Sequence, residues 1–443
     1  MRSLLTLRQD ARAIFEAGLR AVDPTELVRR NVQHQGSGLE MRGGFFDLSN
    51  YRSVCVVGAG KAAASMASAI EEIAGVSLRD GIVIVKYGHS RRLNRIRVVE
   101  AGHPVPDKAG ADATKEIIST LSQATEDDLI LCLLSGGGSA LLSCPAENIS
   151  LQDKQSVTRL LLECGAKIHE VNAIRKHISL VKGGRLAKLA YPATIVSLIL
   201  SDVIGDPIES IASGPTAPDR STFWDCWRII EQYGLTERIP ASVRDFLRRG
   251  LEGNVSETPK PGDPIFEKVQ NVIIGNNRTA LSAAKERANE LGFNTLILSG
   301  FIEGEAKDAA IFHTAIAKEI LSTDNPVRRP ACVISGGETT VTIHGDGLGG
   351  RNQEFALAAA IEMEAMDGAV VLSAGTDGTD GPTDVAGAIV DGQSVERGKR
   401  RGLDANAHLK RNDSYHFLEA TGDLLVTGPT LTNVMDLRIL LVS

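Results

Sequence analysis

Aromatic residues are scarce in this sequence, at 4% of 443 positions, so an aromatic-rich binding groove is not expected. Basic charge is not in excess either. Forty-eight Lys and Arg against 55 Asp and Glu leave a formal net charge of −7. That excludes a general nucleic-acid or membrane-surface binder, which needs a basic footprint, and confines positive potential to local sites. The six cysteines are never closer than the twelve positions from Cys132 to Cys144, so neither a zinc knuckle nor a CxxC redox motif exists. Cys55, Cys132 and Cys332 sit in apolar, strand-like runs and read as buried thiols of a reducing compartment. Long hydrophobic runs are missing as well. The N-terminal apolar stretch is broken by Arg8, Gln9 and Asp10, residues 191–200 make about half a membrane span, and residues 129–146 are interrupted by glycines and serines. A cytoplasmic protein without nucleic-acid or membrane partners is expected.

Glycine is plentiful, at 44 residues, and 43% of the chain is hydrophobic, enough for a full core in each of two domains. Apolar runs at 53–57, 81–85, 129–134, 193–200, 272–274, 295–298, 331–334 and 369–373 read as strands covered on both faces. Helix-periodic stretches fill the gaps at 61–73, 110–121, 151–164, 171–188, 279–291 and 354–364. This rhythm predicts an α/β protein of two three-layer α/β/α domains with mainly parallel sheets. The Pro- and Gly-rich segment 253–263 reads as the linker between an N-terminal Rossmann-like domain, 1–252, and a C-terminal domain, 264–443.

Each glycine-rich segment follows a strand, where α/β proteins place their sites. Gly58-Ala59-Gly60-Lys61-Ala62-Ala63 fits the dinucleotide fingerprint GxGxxA, and its helix start suits any anion. However, the next strand ends in Lys86 where an NAD site wants an acid for the ribose, and Lys61 sets a cation in the turn itself. A turn followed by a solvated lysine is the plain alternative. Ser135, Gly136, Gly137, Gly138 and Ser139 make either a phosphate cradle or a flexible turn. Arg175 and Lys182, two turns apart on a predicted helix, form a local attractor for an acidic substrate unless they are simply a solvated face. Asp202 follows a buried strand, placed to accept a hydroxyl proton, to hold a metal or to cap a helix. The densest region combines Gly336, Gly337 and Glu338, then Arg351 at a helix start, then Thr376, Asp377, Thr379 and Asp380. It lacks the glutamate of a calcium loop, and its carboxylates and hydroxyls suit Mg²⁺ with nucleotide phosphates, or else Asx turns and caps.

The stretches GAGKAA, LLSGGGSALL, NAIRKHISLVKGGRLA, LSDVIGD, SGGETTV, GGRNQEFALAAA and SAGTDGTDGPTD, in that order, resemble the class II glycerate 2-kinase family, whose C-terminal part is called the MOFRL domain. The resemblance implies two α/β domains with an active site in the inter-domain cleft, and transfer of the ATP γ-phosphate to the 2-hydroxyl of D-glycerate with Mg²⁺. It also implies that Lys61, Asp202 and Arg351 are the essential residues. From these residues we expect Lys61 on the carboxylate or a transferring oxygen, with Arg175 and Lys182 beside it. Gly58, Gly60 and residues 135–139 would line the substrate and phosphate side. Gly336, Gly337, Glu338, Thr376, Asp377, Thr379 and Asp380 would line the nucleotide side, with Asp202 and Asp377 as metal ligands. A monomer or homodimer is expected. Some members of the family carry the name hydroxypyruvate reductase, so an NAD(P)H-dependent reductase is the competing expectation.

Overall fold

In the computed structural model, which describes residues 2–42 and 44–443, each of the eight apolar runs falls in a strand, with only Ala193 outside its bounds. They divide between two units, residues 24–274 and a second unit formed by residues up to 23 together with 275–443.

The 24–274 unit carries a six-stranded sheet in the order Ile96–Ala101, Leu78–Lys86, Ser53–Ala59, Asp128–Leu134, Thr194–Leu200, Val269–Gly275. The first five strands pair in parallel. Numbered along the chain, this order is 3-2-1-4-5-6, that of a dinucleotide-binding fold, with its reversal between Ser53–Ala59 and Asp128–Leu134. On one face Cys55, Val57, Ile130 and Cys132 pack against Ile117 and Leu121 of helix Lys108–Leu121 and Leu186 of helix Arg185–Ala190. Helix Ala63–Ala74 also packs on this sheet. Four further helices, Leu151–Glu163, Ile168–His177, Phe223–Gln232 and Ala241–Leu251, share a separate core around Val157, Ile174, Phe223 and Leu247.

The second unit also has six strands, ordered Asn294–Ile302, Ala331–Gly337, Asp436–Val442, Ala369–Gly375, Gly387–Asp391, Leu424–Leu425. Only the first pair is parallel, so the expected parallel arrangement holds in the first sheet and gives way to a mixed one in this sheet. The chain's last strand inserts antiparallel between two strands that would otherwise be neighbours. It escaped the sequence reading because Arg438 interrupts its apolar run. Helices Leu4–Ala21 and Asn277–Glu290 cover one face through Ile14, Phe15 and Leu281, and helices Ala306–Thr323 and Arg351–Glu362 cover the other through Ala317, Ile320 and Phe355.

The domain boundaries are corrected too. Residues 4–21 form an amphipathic helix whose apolar stripe of Leu7, Ala11, Ile14 and Phe15 is buried in the second unit. Residues 253–263 are no linker, since 272–274 is the edge strand of the first sheet. The polar groups that gave this segment its loop-like composition are satisfied locally. Thr258 donates to Asp219 at 3.0 Å, and the Glu257 carboxylate accepts from the Phe223 N–H at 2.8 Å and Lys260 at 3.0 Å and contacts His177 Nε2 at 3.0 Å. Burial alone would raise the Glu257 carboxyl, but these donors outweigh it and hold it at about 2. A depressed carboxyl contributes stability above its unfolded value of 4.5, and that contribution is lost as pH falls towards 2. Glu257→Gln is therefore expected to lower unfolding free energy by about 1–2 kcal/mol at pH 7, discounted for its partial exposure. In urea titrations the gap from the parent should narrow below pH 4.5; a gap that widens there would contradict the assignment.

Candidate active site

The two strands flanking the reversal of the first sheet end in the two glycine segments, 58–61 and 135–139. The segments are stitched together. Lys61 N–H donates to Gly136 O at 2.8 Å, Ala62 N–H to Ser135 Oγ at 3.0 Å, Gly60 N–H to Ile84 O at 3.0 Å, and Ser135 N–H to Ala59 O at 3.2 Å. A Cβ on Gly58 would stand 2.3 Å from Leu133 O, and one on Gly60 2.1 Å from Ser135 Oγ, so both glycines permit this close approach. The amides of Gly60, Lys61 and Ala62 are thus spent inside the protein. They are not open to a pyrophosphate, which the GxGxxA fit alone would require. No protein acceptor among the described residues stands against the N–H groups of Gly136 and Gly137. The second segment is therefore the open one, with Gly137 in the left-handed region at φ 82°.

Lys61 lies beside this opening, its Cγ 3.6 Å from where a Gly137 Cβ would be, and the His103 ring borders the same point at 2.9 Å. The predicted helix 171–188 is broken. It ends at His177, and Gly183 and Gly184 take φ 56° and 81° before helix Arg185–Ala190. Arg175 and Lys182 nonetheless line one cavity of about 700 Å³. It is bounded by Gly137, Ser139, Lys154 and the segment from His103 to Pro106. Lys182 is fully buried, and its ammonium donates to Ser139 O at 2.8 Å, Ser139 Oγ at 3.2 Å and Ala212 O at 3.3 Å. These bonds clamp the glycine segment from the cavity wall. Asp202 is half-buried, two residues past the end of strand Thr194–Leu200.

In the second unit Arg351 begins helix Arg351–Glu362 and is held by two carboxylates. Its Nε and Nη2 donate to Asp436 at 2.8 and 2.9 Å, and its Nη1 lies 2.8 Å from Glu338. Burial opposes the charge, but Asp436 and then Glu338 hold the guanidinium firmly protonated. Asp436 is fully buried and also accepts from Arg438 at 2.9 Å and Asn352 at 2.9 Å.

Several residues expected on the nucleotide side have other work. Asp380, 2% exposed, accepts the N–H groups of Asn352 and Gln353 at 3.1 and 2.9 Å and both their side-chain amides, so a carboxylate already fills the helix N-terminus. A Cβ on Gly350 would come within 2.4 Å of its carboxyl carbon, which explains the glycine before Arg351. Burial pushes Asp380 up to about 6 against the pull of these amides. Thr376 donates to Met435 O at 2.6 Å inside the core. Gly336 and Gly337 belong to strand Ala331–Gly337, paired with Leu437 and Asp436, and a Cβ on Gly336 would strike Asn277. They are sheet positions, not an open phosphate loop. Asp377 is half-buried, its Oδ1 accepting from the Thr379 N–H and hydroxyl, both at 3.1 Å, and Thr379 is exposed.

The sequence reading missed Asp436, Arg438, Asn352, Lys154 and His103. A charged pair inside an otherwise apolar terminal run, DLRILLV, was the one available signal for the first two. Nothing local marks Lys154, whose helix reads as an ordinary polar one.

Residues 10–248 match a family described only as a domain of unknown function (DUF4147), and residues 331–436 match the MOFRL family. A protein of Pyrococcus horikoshii named glycerate 2-kinase is 44% identical, over 99% of this chain and 98% of its own. An Agrobacterium vitis protein named putative hydroxypyruvate reductase is 40% identical over 99% of this chain and 95% of its own. The crystal structure of a glycerate kinase from Thermotoga maritima superposes with a TM-score of 0.87 at 42% identity, covering 99% of this chain and 100% of that one. Among the described residues no helix is long and apolar enough to cross a membrane.

Proposed function

Because this chain belongs to the glycerate kinase family that carries the MOFRL domain, we propose that it transfers the γ-phosphoryl group of ATP to the 2-hydroxyl of D-glycerate, giving 2-phosphoglycerate. The carrying observation is the Ser135–Ser139 segment at the sheet's reversal, with two open amides and Lys61 beside it.

Phosphoryl transfer asks a protein mainly for positioning and charge neutralisation. Lys61 holds the acceptor carboxylate or a transferring oxygen. Asp202 orients the 2-hydroxyl and takes its proton as the oxygen attacks phosphorus. The open amides of Gly136 and Gly137 receive phosphate oxygens, and Arg351 offsets charge on the moving group. Mg²⁺ bound with the nucleotide would neutralise phosphate charge, using one or two carboxylates. Either Asp202 or Asp377, each half-buried and two residues past a strand end, fits that task. Asp380 does not, because each of its oxygens already accepts two N–H groups.

The closed amides of Gly60, Lys61 and Ala62 argue against the reductase reading, since a nicotinamide dinucleotide needs such groups for its pyrophosphate. One experiment separates the two. The purified protein with ATP, Mg²⁺ and D-glycerate should form ADP only when glycerate is present, and its product should feed enolase without a mutase. Oxidation of NADH or NADPH by hydroxypyruvate at a matching rate, without ADP formation, would overturn the kinase.

A further inference from the structure

Lys154, Arg175 and Lys182 bring three basic side chains to one cavity of an acidic protein. Lys154 is 4% exposed, Lys182 is fully buried and Arg175 is half-buried. Burial, joined by mutual repulsion, lowers Lys154 to about 7 and Lys182 well below its ordinary value. Burial lowers Arg175 as well. Among the described residues no carboxylate helps to hold any of the three in its charged form. Lys182 is spent on Ser139 and Ala212, and Lys154 donates to Ser143 Oγ at 2.6 Å, while Arg175 has no hydrogen-bond acceptor among the described residues. Desolvated basic groups without a counter-ion hold their charge poorly, and an anion entering the cavity favours the charged forms of Lys154 and Arg175.

The size and wall of the cavity say which anion. About 700 Å³ falls within the roughly 300–1,000 Å³ that receives an extended organic ligand, far more than a three-carbon acid fills. Pro104, Val105, Pro106 and Leu162 give it an apolar side, with Gln155 and Thr158 as polar neighbours. One carboxylate balances one cation, whereas a polyphosphate balances several. Gly137 also joins the cavity to Lys61, so a phosphate chain lying against Arg175 and Lys154 runs towards the lysine assigned to transfer.

We propose that this cavity seats the phosphate-donor nucleotide, with its phosphate chain on Arg175, Lys154 and the amides of Gly136 and Gly137, and its base against the Pro104–Pro106 wall. The assignment rests on the kinase reading and moves Arg175 from the acceptor to the donor. Calorimetric titration with ADP, without glycerate, tests it on the full chain. Arg175→Gln and Lys154→Met should each weaken ADP binding about ten-fold or more, the loss of one charge-assisted hydrogen bond. The KM for D-glycerate should stay within about two-fold. Arg159→Ala, at an exposed cavity-lining position, should weaken ADP by about two- to three-fold. This variant keeps the test open should a buried substitution fail to fold. Unchanged ADP affinity with a raised glycerate KM would assign the cavity to the acceptor, and no change in either would empty it of function; both outcomes overturn the proposal. A protein that binds ADP in this way yet never phosphorylates glycerate would sink the kinase reading and leave the nucleotide seat standing.

Discussion

Arg351→Ala is expected to lower kcat for glycerate phosphorylation by about 10³–10⁵-fold, the range over which an arginine acts on a transferring phosphoryl group. KM should move far less, because a group that acts on charge appearing in the transition state contributes little to ground-state binding. The argument is geometric. Two donors of Arg351 are fixed on buried Asp436, so the planar guanidinium has one orientation and needs no ordering at the moment of reaction. Arg351→Lys should recover little, since an ammonium cannot reproduce the bidentate pairing. Steady-state kinetics over a range of both substrates decide the matter, and a rise in KM at unaltered kcat would refute the role.

Asp436→Ala should be the most damaging stability change in the second unit, at about 3–5 kcal/mol, the usual cost of breaking a buried ion pair by removing one partner. Arg438 is 1% exposed, and its hydrogen-bond partners among the described residues are Asp436 and the Thr339 hydroxyl, each at 2.9 Å. Without the carboxylate a desolvated guanidinium remains inside the sheet. Thermal unfolding should fall by about 10 °C, taking roughly 2–4 °C per kcal/mol for a unit of this size. Pairing the change with Arg438→Met should restore part of the loss, because removing both charges is gentler than stranding one. If the single and double variants unfold together, the ion pair is not what holds this strand. Catalysis gives a second readout. Asp436→Asn keeps the shape but loosens Arg351, so kcat should drop even where the fold survives.

Asp436 shows how the sequence reading ran out. Runs apolar throughout announced eight strands, because strand formation is written into a few adjacent residues. The same locality placed the glycine segments at strand ends and singled out Lys61, Asp202 and Arg351. Yet it gave Asp380 and Gly336 to the nucleotide, when one fills a helix N-terminus and the other makes room for Asn277. Carboxylates and glycines at strand ends look alike whether they face a ligand or their own backbone. The difference lies in partners about 28 and 59 positions away.

The amino-acid order by itself therefore determined the α/β class, the positions of eight strands and of several helices, the family, and the short list of charged residues worth testing. The class and the elements follow from side-chain periodicity and turn residues acting over a few positions, and the family follows from the resemblance of its ordered motifs. Tertiary structure alone decided that the first helix serves the later unit, that the last strand slots between two earlier ones, and that Lys154, Arg175 and Lys182 share a cavity. Burial and pairing with distant partners fix those outcomes, and no local pattern encodes which distant partner a face will meet.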